Sequence, residues 1–168
     1  MNTHVHPGLS EPVGDGRPAF AMVTASHAPD FARCRLLCES MDRHVTGARR
    51  HYILVAGHDV ALFRQLEGPG RMVVDERGIL PSWLHAFRDP TSLMRRHIWL
   101  SLRTPPLRGW HVQQLRRIAL AEKIEEDVLI YCDSDVIFLR SFDCATLSGS
   151  SGTVFYRKTD GIGADTPP

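Results

Sequence analysis

Short, uninterrupted apolar runs separated by segments of helical period constrain this chain more than any other feature. The runs are Ala19-Phe20-Ala21-Met22-Val23-Thr24, His51-Tyr52-Ile53-Leu54-Val55-Ala56, Arg71-Met72-Val73-Val74-Asp75 and Val128-Leu129-Ile130-Tyr131-Cys132. A strand with one wet face alternates apolar and polar residues. These runs do not alternate, so both of their faces must be covered. After the first run, Phe31, Cys34, Leu37, Cys38, Met41 and Val45 recur at helical spacing, with Asp30 placed to cap that helix. After the second, Val60, Leu62, Phe63 and Leu66 form the apolar side of a short helix, and Gly68-Pro69-Gly70 is a turn. From His111 to Ile124, Val112, Leu115, Ile118, Ala119 and Ala121 lie on one side of a further helix. Glu125-Glu126-Asp127 reads as a solvated turn. Strand and helix in alternation predict a parallel, doubly wound α/β sheet.

The stretch from Glu76 to Gly109 breaks this regularity with Pro81, Pro90, Pro105 and Pro106 and with Trp83, Phe87 and Trp99. It reads as a packed connector or as a lid over a site. Residues 1–18 read as a disordered leader, 19–157 as one folded unit and 158–168 as a flexible tail.

A chain of 168 residues with 43% hydrophobic and 23% charged residues suits one soluble domain with a proper core. Lys and Arg number 20 against 19 Asp and Glu, so bulk electrostatics give no reason to expect a nucleic-acid partner. The four cysteines, Cys34, Cys38, Cys132 and Cys144, form no CxxC pair and read as buried free thiols. The leader lacks the pattern of a signal peptide, and no apolar run is long enough to span a bilayer. A cytoplasmic location is the resulting expectation.

The residues that carry chemistry follow the last apolar run. Asp133-Ser134-Asp135 stands at its end. In an open α/β sheet, ligands bind at the carboxyl ends of the strands. Two carboxylates placed there repel each other, and a hard divalent cation, Mn²⁺ or Mg²⁺, neutralises them well. Such a cation would stabilise negative charge on a leaving nucleoside diphosphate. The bland alternative is a turn in which both acids accept backbone N–H bonds.

The run Tyr131-Cys132-Asp133-Ser134-Asp135-Val136-Ile137-Phe138 resembles the D-x-D segment of GT-A glycosyltransferases. Gly109-Trp110-His111-Val112-Gln113-Gln114-Leu115-Arg116-Arg117-Ile118, a "GW..QQ" helix leading into "DSD", is similar to a group of poorly characterised bacterial glycosyltransferase-like proteins. The resemblance covers roughly Ala19 to Tyr156. It implies a Rossmann-like GT-A half domain, a mostly parallel sheet flanked by helices, with residues 19–157 binding a nucleotide sugar. It further implies transfer of a hexose from a nucleotide sugar, a UDP-sugar first, to a saccharide or glycoconjugate acceptor. Asp133 and Asp135 become the metal pair. Thr24, Ser26 and His27, after the first strand, map onto the nucleoside cradle, and Gln113, Gln114 and Arg117 onto the donor-facing helix. Asp75, at the end of the third strand, is a candidate for a nucleoside hydroxyl. The resemblance gives no catalytic base. GT-A domains continue well past the D-x-D, so the chain reads as the donor-binding half, with self-association through an exposed sheet edge as an expectation.

Two other readings compete. A haloacid-dehalogenase-type phosphatase also places D-x-D after an apolar strand, but its later motifs have no room here. A non-catalytic nucleotide-binding or protein-interaction fragment is the alternative from a different class. No P-loop, G-x-S-x-G or H-E-x-x-H pattern is present.

Overall fold

The computed structural model describes residues 18–92, 97–149 and 152–153. The leader expected over 1–18, apart from Pro18, and the tail expected over 158–168 lie outside the described residues. In chain order the elements are β1 (Phe20–Ala25), α1 (Phe31–His44), β2 (Val45–Thr46), β3 (Ala48–Val55), α2 (Val60–Phe63) and β4 (Arg71–Asp75). They continue with β5 (His85–Arg88), β6 (His97–Leu100), β7 (Leu107–Arg108), α3 (Gly109–Ala121), β8 (Val128–Tyr131), β9 (Phe142–Asp143), β10 (Ser148–Gly149) and β11 (Gly152–Thr153).

The four apolar runs become one sheet in the order β4-β3-β1-β8, and every neighbouring pair is parallel. The chain is a Rossmann-like α/β fold, as its alternating pattern predicts. Side-chain parity explains the lack of alternation. Ala21, Val23 and Ala25 of β1 and Tyr52 and Leu54 of β3 pack with Leu120 of α3 on one face. Phe20 and Met22 turn to the other face and meet Leu37 and Met41 of α1. Ile53 and Val55 share that second face with Cys34, Cys38 and Phe63. With helices on both faces, every position in β1 is buried. All four cysteines are free and buried, as expected.

Three local expectations change. Asp30 stands at the N-cap of α1 but makes no side-chain cap bond; its carboxylate binds His27 Nδ1 at 3.1 Å and Arg33 Nη1 at 3.1 Å instead. The turn before β8 is not simply solvated. Glu126 is buried, accepts the Tyr52 hydroxyl at 3.0 Å and lies 3.6 Å from Arg50. Asp127 accepts the Ala19 amide at 2.8 Å and so ties the start of β1 to the start of β8. The third change concerns Glu76 to Gly109, which holds a small antiparallel sheet, β5-β6-β7. Trp99 of β6 packs with Leu84 and with Val112 of α3, which fits a packed connector. The same Trp99 also walls a cavity, so the segment borders a site as well.

The strand order positions that site. From β1 the chain moves outward through β3 to β4, then returns past β1 by way of α3 to place β8 on its other side. The order reverses at β1, and the crevice above a reversal is where open α/β sheets bind ligands. Among the described residues no helix is long and apolar enough to cross a membrane.

Candidate functional site

The crevice between the carboxyl ends of β1 and β8 holds a cleft of about 510 Å³. Its walls include Ser26 and His27 after β1, Gln113, Gln114, Arg116 and Arg117 of α3, and Asp133, Ser134 and Asp135 after β8. Seven of the expected binding and metal residues and both flanking loops thus meet there. Extension of β8 along β1 sets this geometry: the Cys132 amide donates to the Val23 carbonyl at 2.9 Å, and the chain leaves the sheet at Asp133. Ser26 is held by its amide on the Leu54 carbonyl at 3.0 Å. The two acids also act on their neighbour: burial first, then Asp133 and Asp135, push the Cys132 thiol up to about 11.

Arg117 faces Asp133, with Nη2 at 2.5 Å from Oδ1. Its guanidinium carbon lies 5.5 Å from the centre of the Tyr131 ring, and the Tyr131 hydroxyl donates to the Arg117 carbonyl at 2.9 Å. Sequence reasoning passed over the neighbouring Arg116. Gln113, Arg116 and Arg117 stand at i, i+3 and i+4, so helical spacing alone groups them on one face. Arg116 is largely covered between Glu76 and Trp99. Its Nη2 lies 2.5 Å from Glu76 Oε2, and its guanidinium carbon 5.5 Å from the Trp99 ring centre. The approach to Glu76 is close but poorly aligned as a hydrogen bond, so charge rather than direction holds it. Burial pushes the Glu76 carboxyl up and the Arg116 guanidinium down, the price of an ion pair taken out of water.

A second cavity of about 630 Å³ adjoins the first and shares Ser26, His27 and Arg116 with it. Ala56, Gly57, Ala86 and Trp99 give it an apolar lining, with Glu76 and Arg77 at its wall. At Gly57 a β-carbon would meet the Arg77 guanidinium, so only glycine leaves that side chain its place.

Two expected binding residues are elsewhere. Thr24 has the parity of Phe20 and Met22, which turns it to the α1 face. There it is fully buried, 3.0 Å from His51 Nε2. Arg71 Nε donates to His51 Nδ1 at 3.1 Å, so Nε2 carries the imidazole proton and donates to the Thr24 hydroxyl. Thr24 is therefore a core partner of His51 rather than part of a nucleoside cradle. Asp75 lines neither cavity. Its carboxylate accepts the Arg77 amide at 2.9 Å and the Arg77 guanidinium at 2.5 Å. Those bonds hold the Asp75 carboxyl below the usual carboxylate range and turn it to Arg77 rather than to either cavity.

Thr24→Val should separate these roles. It strands the His51 Nε2–H in the core, at about 1–3 kcal/mol. The expected result is a lower midpoint in thermal denaturation with unchanged nucleotide affinity in titration calorimetry. A loss of affinity without a loss of stability would return Thr24 to the ligand.

Residues 21–160 match the model of a family of unknown function, DUF6492. The chain belongs to DUF6492. No curated protein and no solved structure matches it. The DUF6492 match takes in every residue that lines the two cavities. The family description states no activity, so the chemistry of this DUF6492 member is read from its cleft.

That chemistry has two signs. Asp133 and Asp135 supply carboxylate oxygens, and Arg116 and Arg117 supply cationic N–H groups, in one cleft. Among the described residues, no three His, Cys, Asp or Glu side chains gather into a closed metal cage. A pair of carboxylates suits a Mg²⁺-like cation that completes its shell with water and substrate phosphates. Three buried polar atoms of cleft residues, Ser26 Oγ, Arg116 Nε and Arg117 Nε, have no hydrogen-bond partner. Buried donors are rarely left that way, so they suit an anionic ligand.

Proposed function

We propose that the cleft is the donor site of a metal-dependent glycosyltransferase of the GT-A type, binding a nucleoside diphosphate sugar through a divalent cation. One observation carries the reading: Asp133 and Asp135 meet Arg116, Arg117 and Ser26, with their unpartnered donors, at the point where the strand order reverses. The diphosphate belongs in the polar cleft beside the two acids. The adjoining apolar cavity under Trp99 has the size and lining to take a nucleoside.

In this reading Asp133 and Asp135 would hold Mn²⁺ or Mg²⁺, which offsets charge on the departing nucleoside diphosphate. Arg117 pairs with phosphate oxygens through its planar fork. Arg116, fixed by Glu76 and Trp99, keeps a positive charge where the two cavities join. Gln113 and Gln114 offer amides to hydroxyl groups of the donor. The acceptor would be a saccharide or glycoconjugate. Such chemistry needs no membrane span, and a cytoplasmic site of action belongs to the same reading. β8 ends the sheet among the described residues; Tyr131 at its end and Val136, Ile137 and Leu139 after it are exposed. That edge supports self-association, which light scattering would detect as a dimer mass.

The test is a thermal-shift screen of UDP, GDP and their sugars with and without Mn²⁺. A ligand that binds only the folded state raises the melting temperature, by about 2.7 kcal/mol of stability at a hundredfold excess over Kd. A Mn²⁺-dependent rise with one nucleotide is the expected result and identifies the base. A well-folded sample that ignores every nucleotide in both conditions sinks the donor-site reading. The alternative, a non-catalytic fragment that binds a partner protein, then takes its place.

A further inference from the structure

The two arginines of the cleft are held in different ways. The Arg116 and Glu76 side chains are 15% and 11% exposed, so parting them would leave charges buried. Arg117 is 16% exposed, but its partner Asp133 is 66% exposed. Water can take over Asp133 when the pair opens, and pairs with one wet partner are cheap to break. Arg117 is also only partly used. Its Nη2 binds Asp133 while its buried Nε has no partner. Its backbone is fixed separately, by the Tyr131 hydroxyl on the Arg117 carbonyl, so the guanidinium can move without disturbing α3.

We infer that Arg117 is an exchange residue: it neutralises Asp133 until a diphosphate draws the guanidinium away, so that the site takes cation and diphosphate as one unit. This rests on the donor-site reading above and adds the order and coupling of binding. In the ligand-free chain the guanidinium sits on Asp133 Oδ1, and its positive charge opposes the arrival of a cation at that carboxylate. A diphosphate offers the same guanidinium two oxygens in the fork geometry it prefers and engages the unpartnered Nε. Asp133 is then free to join Asp135 as a ligand. Each partner strengthens the binding of the other, and the two effects must be equal by linkage.

The experiment is a titration of the full chain with MnCl₂, followed by the paramagnetic resonance of free Mn²⁺. It is run with and without inorganic pyrophosphate below its precipitation limit, on wild type, Arg117→Gln and Asp133→Asn, and each pyrophosphate titration is read against a protein-free one, because pyrophosphate alone chelates Mn²⁺. For the wild type, Mn²⁺ alone should bind weakly, and pyrophosphate should tighten it about tenfold or more. For Arg117→Gln, Mn²⁺ alone should bind about tenfold more tightly than to wild type, and most of the gain from pyrophosphate should vanish. Asp133→Asn should bind Mn²⁺ poorly in both conditions. The absence of any pyrophosphate effect in the wild type overturns the exchange, and this arm does not depend on a variant folding. Equal Mn²⁺ affinity in wild type and Arg117→Gln, with binding lost in Asp133→Asn, overturns the exchange but keeps the metal pair. No Mn²⁺ binding to any of the three proteins removes the donor-site reading as well.

Discussion

Asp133→Asn with Asp135→Asn should abolish Mn²⁺-dependent nucleotide binding, with a loss on the order of 100-fold or more in affinity. Both side chains line the cleft, and no third His, Cys, Asp or Glu among the described residues gathers with them to take over. An amide keeps the shape of the carboxylate but removes its charge, so the cation loses most of its attraction. Stability should move the other way or not at all. The two carboxylates repel each other, and only Asp133 has a partner among the described contacts, in Arg117. The measurement is paired: calorimetric titration with nucleotide and Mn²⁺, and thermal denaturation without ligand. Full nucleotide affinity in a folded double variant would mean that Asp133 and Asp135 are turn residues. Collapse of the fold would mean the same by another route, because a metal pair built for ligand binding is not needed to hold the sheet.

Arg116→Ala should be the most destabilising single change in the cleft. It leaves the Glu76 carboxylate buried with its main counter-charge gone, at about 3–5 kcal/mol. For a chain of this length that is a fall of roughly 10 °C in melting temperature. Burial already pushes the Glu76 carboxyl up, and Arg116 is the largest influence pulling it down, so the variant should raise it further. A carboxyl whose folded value lies above its unfolded value binds its proton more tightly when folded. The deficit of Arg116→Ala should therefore be smallest below the unfolded carboxylate range. It should grow as pH rises through the folded value. Melting curves between about pH 4 and pH 8 span that window. Adding Glu76→Gln should flatten the dependence. A deficit that is independent of pH would show that Arg116 acts through its packing on Trp99 and not through charge. Nucleotide binding should also weaken, which joins the stability of this helix to the site it lines.

Much of this was legible in the chain before any tertiary information. Asp133 and Asp135 follow from local pattern, the resemblance to GT-A enzymes adds Ser26, His27, Gln113, Gln114 and Arg117, and all seven line one cleft. Arg116 escaped because a single arginine beside another looks like a solvated helix position. Only the return of Glu76, from the turn after β4, gives it a buried partner. Thr24 was misplaced because an apolar run says that both faces are covered, not which residue turns to which helix. Asp75 was misplaced because its rival for the carboxylate, Arg77, binds it through a turn that the sequence does not specify.

By itself the sequence determined the class of fold and the end of the sheet at which the carboxylate pair stands. Both follow from short-range order. A strand covered on two faces must be apolar throughout, and a carboxylate pair can follow it only where the chain leaves the core. The strand order was decided by the tertiary structure alone. Nothing in the local period of Val128–Tyr131 places it beside Phe20–Ala25 rather than beside Arg71–Asp75. That choice depends on which helix covers which face, a matter of packing between segments far apart in the chain. It sets Ser26 and Asp133 across one crevice, and it turns Thr24 away from that crevice to His51.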